Sequence, residues 1–114
     1  KRSFTSDKAS SQRPILETLL AISQMNEFGK DLPERKLIIY SDMMQNMPTF
    51  SHYRNDWQSL AVEVMARYPA NFQNVEISVH YKINDAGIQN TAHREFWRNY
   101  FSSREADYKF FLTR

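Results

Sequence analysis

Cysteine is absent from this chain, which removes disulfide scaffolds, thiolate zinc sites and cysteine nucleophiles from consideration. Glycine is nearly absent. Gly29 and Gly87 are its two occurrences, too few for a glycine-rich phosphate loop. No apolar run approaches the roughly 18 residues that would suggest a membrane span, so membrane insertion is not expected. Charge bias is small as well: the formal net charge is +2 and the isoelectric point about 9.0. A nucleic-acid footprint needs basic side chains gathered on one face, so this balance argues weakly for such a partner. No leader peptide pattern is present. The chain opens at Lys1 instead of a methionine and is read as a processed or partial product. The missing leader therefore does not decide between cytoplasm and periplasm for the parent.

What remains is a globular composition. Hydrophobic residues make up 41% and charged residues 25%, with eight phenylalanines, six tyrosines and two tryptophans. A disordered tail would not carry that aromatic load. The 114 residues suit one small domain, or part of a larger one.

Residues 1–12 are polar, with four serines, and read as a loop, leaving 13–114 as the folded core. Pro14 stands where a first-turn proline is tolerated. Ile15, Leu16, Leu19, Leu20, Ile22 and Met25 follow at helical spacing up to a stop at Gly29, which predicts a helix over 14–28. Leu37, Ile38, Ile39 and Tyr40 form a continuous apolar run. Continuous apolarity suggests a central strand covered on both faces. Residues 43–55 read as loop. Asn55 or Asp56 is expected to cap a helix whose stripe is Trp57, Leu60, Ala61, Val64, Met65 and Tyr68, stopped by Pro69. Val75, Ile77, Val79, Tyr81 and Ile83 alternate with polar residues and predict a second strand with one less covered face. After a turn over 84–87, Thr91 is expected to cap a third helix bearing Phe96, Trp97, Tyr100 and Phe101 on one side. Residues 108–112 read as a last strand. Alternating helices and strands predict an α/β fold with a parallel sheet and helices on both faces. Three strands make a small sheet of this type, so the chain is expected to belong to a larger domain or to associate with something that completes it.

In open α/β sheets, ligands bind beyond the carboxyl ends of the strands. Asp42 sits at such an end, after Ser41. A carboxylate there can bind a hard divalent cation such as Mg²⁺. It can equally serve only as a turn or cap residue, the more common use of Ser-Asp after a strand. His52, His80 and His93 share no metal-ligand spacing and read as surface or hydrogen-bonded histidines. Asp56, Glu63, Glu95 and Glu105 are not forced together by sequence, and no nucleophile elbow occurs. Arg94, Arg98 and Arg104 lie among Trp97 and Tyr100. A solvated basic helix face explains them better than nucleic-acid binding. Met43, Met44 and Met47 read as core filler or a pliable contact surface.

The stretch Arg35-Lys-Leu-Ile-Ile-Tyr-Ser-Asp-Met-Met-Gln-Asn-Met, followed by Phe50-Ser-His-Tyr and Arg94-Glu-Phe-Trp-Arg-Asn-Tyr-Phe, resembles the C-terminal half of bacterial von Willebrand factor A-like proteins. Arg13-Pro-Ile-Leu-Glu-Thr-Leu resembles a helix start of the same group. The likeness covers about residues 10–112. It implies a three-layer α/β/α, Rossmann-like sandwich, of which this chain would be the C-terminal portion. It also implies a Mg²⁺ adhesion site built from an Asp-x-Ser-x-Ser loop, a threonine loop and a third-loop aspartate. Asp42 matches the third-loop position, and the threonine-loop position falls near Ser10, Ser11 and Arg13, with Ser11 or Ser10 able to substitute. The first-loop motif does not occur, so the metal site would be complete only in a longer parent. The expected function is a non-enzymatic protein-interaction module whose partner is another protein, the missing N-terminal half of the domain, or a second copy. In that expectation the loops 43–52 and 84–90 shape the binding surface. A Mg²⁺-dependent hydrolase or nuclease accessory domain and a structural domain without ligand are the alternatives.

Overall fold

The computed structural model describes residues 12–25 and 34–113. Helix α1 spans Ile15–Ser23. Strand β1 (Lys36–Ser41) follows, then a short hairpin of β2 (Asn46–Met47) and β3 (Phe50–Ser51). A 3₁₀ turn over Trp57–Leu60 leads into α2 (Ala61–Arg67). Strand β4 (Glu76–Lys82), helix α3 (Thr91–Ser103) and strand β5 (Asp107–Thr113) complete the chain. The main sheet has the order β1-β4-β5, with both pairs parallel. The chain is therefore a mixed α/β protein with a three-stranded parallel sheet.

The core lies on one side of that sheet. Ile77, Val79 and Tyr81 of β4 project into it and meet Leu16 and Leu19 of α1, Trp57 and Val64 of the second helical segment, and Phe96, Trp97, Tyr100 and Phe101 of α3. The predicted stripe of α2 is the one used: Trp57 and Val64 are buried, and Leu60, Ala61, Met65 and Tyr68 pack against the core. Arg104 ties the end of α2 to the end of α3. Its guanidinium binds the carbonyls of Met65 and Tyr68 and sits 5.0 Å from the Tyr100 ring centroid.

Several boundaries differ from expectation for local reasons. The capping oxygen of α3 belongs to Asn90, which accepts from the His93 amide at 3.1 Å, so Thr91 becomes the first helical residue. Neither Asn55 nor Asp56 caps α2 through its side chain; the segment instead opens as a 3₁₀ turn. The presumed loop 43–55 contains the β2–β3 hairpin. The first helix ends at Ser23, with Gln24 as its C-cap, short of the residue 28 expected. The loop expected over 1–12, apart from Gln12, and the Gly29 stop lie outside the described residues.

The larger correction concerns β1. It is an edge strand, and none of its residues is buried. Ile38 is 58% and Tyr40 74% exposed. The central strand is β4, whose alternation was read as lesser coverage. Among the described residues the helices cover one face of the sheet, giving two layers where the resemblance implies three. The opposite face carries Ile38, Tyr40, Ser78, His80, Lys109 and Phe111, placed side by side by the register. Leu37 and Ile39 pack against the core, so the continuous apolar run of β1 combines one covered face with one that is apolar and open.

Candidate functional site

Asp42 follows β1, and the structure places it at the carboxyl end of the sheet as expected. The chain around it is drawn inward. Ser41 Oγ accepts from the Met43 amide at 2.8 Å, and Asp42 Oδ1 accepts from the Met44 amide at 3.0 Å. These are local side-chain turns of the kind Ser and Asp favour after a strand. Asp42 Oδ2 accepts from Asn84 Nδ2 at 3.1 Å and pairs with Arg13 Nη1 at 2.5 Å. Arg13 reaches it because its backbone forms a two-way bridge with Asn46, at 2.8 and 3.0 Å. The aspartate is 7% exposed, so the guanidinium supplies the opposite charge that a buried carboxylate requires.

This arrangement bears on the Mg²⁺ expectation. A cation at Asp42 needs a carboxylate oxygen with a free direction and further oxygen ligands. Here one oxygen holds a backbone amide, and the other holds a guanidinium and an amide group. Among the described residues no group of three His, Cys, Asp or Glu side chains could hold a metal ion. Ser11, the second candidate ligand, lies outside the described residues, as does Ser10. As arranged, the side chains at Asp42 do not fit an open cation site, because Arg13 already supplies the positive charge there.

The rest of the strand-end loop is held equally tightly. Gln45 is fully buried and caps α1 from 29 residues away: its Oε1 accepts from the Leu16 amide at 2.8 Å. Its Nε2 donates to Glu17 Oε1 at 2.9 Å, and Tyr68 Oη donates to Glu17 Oε2 at 2.8 Å. Gln89 ties the neighbouring loop down. Its Nε2 donates to the carbonyls of Asp42 (2.9 Å) and Lys82 (2.8 Å), and its Oε1 accepts from the amides of Asn84 (2.7 Å) and Asp85 (2.8 Å). Met43 adopts a left-handed backbone, φ 57°, a conformation a side chain larger than glycine adopts at some cost. Two donors hold its carbonyl in that position: Trp97 Nε1 at 2.8 Å and His93 Nε2 at 2.9 Å.

Two histidines lie beneath this loop. Because His93 Nε2 donates to Met43, its Nδ1 is the acceptor for Tyr81 Oη, 2.6 Å away. His52 Nδ1 accepts from the Gln45 amide at 3.0 Å, which places its proton on Nε2. That Nε2 has no hydrogen-bond partner. It sits in an aromatic cage instead: the rings of His93, Phe96 and Trp57 meet His52 edge-on at centroid distances of 4.4, 4.8 and 4.9 Å. Burial, with a smaller contribution from His93, lowers the His52 pKa to about 2. Burial also lowers His93 to about 4, against the opposing hydrogen bond to Met43. Both rings are neutral near pH 7 and out of contact with solvent, so they serve as packing and hydrogen-bonding groups.

The other candidates are dispersed. Glu63 pairs with Arg67 and Glu95 with Arg98 along exposed helix surfaces. Met43 and Met44 are fully buried core filler. The loops 43–52 and 84–90 were expected to shape a binding surface, but Met43, Met44, Gln45, Phe50, Ser51, His52 and Gln89 are buried. Sequence reading missed Gln45 and Gln89, whose residue type carries no distinctive signal. It also missed the open sheet face, where Tyr40, His80 and Phe111 stack in a row at centroid distances of 4.4 and 4.9 Å. The register of apolar positions in β1 and β5 was the available signal.

Comparison of the chain with protein families, curated proteins and solved structures gives no match. No helix among the described residues is long and apolar enough to cross a membrane.

Proposed function

We propose that the chain is a non-enzymatic protein-interaction module of von Willebrand A-like type, completed by a helical layer of another polypeptide laid across the open face of its sheet. The observation that carries this reading is the joint exposure of Ile38 (58%), Tyr40 (74%) and Phe111 (45%) on one face of an all-parallel sheet. Parallel sheets occur almost only with both faces covered. The face is about 14 Å wide and 23 Å long, from three strands about 4.8 Å apart and seven residues at about 3.3 Å each. One helix of about 15 residues spans that length.

The stacked row favours a protein over single-stranded nucleic acid. Rings within 5 Å of one another and nearly parallel must stand on the sheet with their edges outward. Base stacking requires ring faces. The charges nearby are largely self-compensated: Lys109 is 3.7 Å from Glu76, and Glu76 lies between Lys36 and Asp107 along one row of the register.

In this reading the metal site remains incomplete. Mg²⁺ binding in a longer parent would require Arg13 to leave Asp42. The proposal is tested by photo-crosslinking in the native host from a benzoylphenylalanine placed at Tyr40, with the same residue at Val62, 82% exposed on α2, as control. A discrete polypeptide adduct from position 40 and none from 62 is expected. Equal adducts from both positions would sink the reading.

A further inference from the structure

β5 ends the sheet opposite β1, so among the described residues its outer edge presents backbone N–H and C=O groups with no strand beside them. Its residues Tyr108, Phe110 and Leu112 are register partners of Ile77, Val79 and Tyr81 and so face the helices. Helix α3 does not cover them all: Phe110 is 38% and Leu112 50% exposed. A groove of about 230 Å³ runs between α3 and β5, lined by Thr91, Arg94, Glu95, Arg98, Tyr108 and Phe110. Its floor is aromatic and firmly seated. Phe110 rests on Tyr81 at 5.2 Å and Tyr108 on Phe101 at 5.1 Å.

The rim of the groove is cationic. Arg98 is engaged by Glu95, with Nε to Oε2 at 3.1 Å. The guanidinium of Arg94, a partly buried residue, forms no hydrogen bond or ion pair with a described residue. Arg94 and Arg98 are separated by about 6 Å along the helix axis, four residues at 1.5 Å each. Side chains on one face of an extended strand recur every 6.7 Å or so. Two carboxylates at positions i and i+2 of a strand laid along β5 therefore match the two guanidinium groups.

We propose that the β5 edge and the groove beside α3 bind an extended acidic peptide segment by strand addition. The peptide backbone pairs with β5, while alternate carboxylates meet Arg94 and Arg98. Backbone pairing supplies affinity, and the charged groove supplies selection. This site is separate from the open sheet face and does not depend on its occupant.

The test is a fluorescence-anisotropy titration of the chain against fluorescein-labelled Val-Glu-Val-Glu-Val-Glu-Val at low ionic strength. Peptides with Gln or Lys in place of Glu, and a Glu peptide N-methylated at alternate residues on the pairing edge, serve as comparisons. The Glu peptide is expected to bind at least about tenfold more tightly than the Gln peptide, the effect of one lost charge-assisted bond. The Lys and N-methylated peptides are expected not to bind. Arg94→Ala should weaken binding by a similar factor and Arg94→Lys should recover part of it. Glu95→Gln, which frees Arg98, should tighten it. Amide resonances over 107–113 should shift on binding, and Tyr40→Asp should leave the affinity unchanged. Equal binding of the three sequences, indifference to Arg94→Ala, or no binding at millimolar protein would overturn the proposal.

Discussion

The two sides of this sheet obey opposite rules. At the carboxyl end, on the helix side, buried polar groups are paired, His52 Nε2 excepted: Gln45, Gln89, His93 and Asp42 each satisfy two or more partners. On the far face, apolar and aromatic side chains stand in solvent. The region that looks chemical in sequence is closed and structural, while the region that looks like core is open. A buried polar group is costly unless paired, so a dense network of pairs marks a place where the fold has been fixed. An exposed apolar face has no such compensation, and in the function proposed above it is where another surface docks.

The contrast can be broken from its closed side with large effects. Trp97→Ala removes a side chain that is 1% exposed together with one of two donors to the strained Met43 carbonyl. It should cost about 3–5 kcal/mol, read by chemical denaturation. Gln89→Ala removes four hydrogen bonds that join the ends of β1 and β4 to the following loop. A loss of about 2–4 kcal/mol is expected.

Acid should attack the same region. His52 and His93 have pKa values lowered to about 2 and about 4, against 6.5 in the unfolded chain. The unfolded chain thus binds more protons than the folded one once pH falls below 6.5. The stability these histidines contribute is present above that value and is lost as pH drops toward 4. The slope is about 1.4 kcal/mol per pH unit for each ring. Denaturation midpoints measured between pH 7 and 4 should show that fall, and His93→Gln should shallow it.

How much of this could be read beforehand depends on the kind of signal each residue carries. The amphipathic stripes of α2 and α3 and the alternation of β4 were legible because burial on one side imposes a period. The strand order was not, because the apolar run 37–40 has two physical origins: coverage on both faces within one chain, or coverage on one face with the other left for a partner. Asp42 was legible as a strand-end residue. Its pairing with Arg13 was not, since the bridge between Arg13 and Asn46 joins residues 33 apart in sequence through backbone groups that every residue possesses. Gln45 and Gln89 act through position alone.

The open side should yield the smallest effects. Tyr40→Ser loses a stacked contact with His80 but uncovers no cavity, so the isolated chain should change by less than about 1 kcal/mol. Thermal unfolding of the variant beside Trp97→Ala gives the contrast in one experiment. A cost for Tyr40→Ser as large as that for Trp97→Ala would mean that the face is not open.

The most direct measurement is hydroxyl-radical footprinting of Tyr40 in the purified chain and in its native cellular setting, with Tyr53, 44% exposed on the closed side, as internal reference. Tyr40 is predicted to react freely in the purified chain and to be protected several-fold in the native setting, with Tyr53 unchanged. Equal reactivity of Tyr40 in both settings would contradict the account, because the open face would then have no occupant.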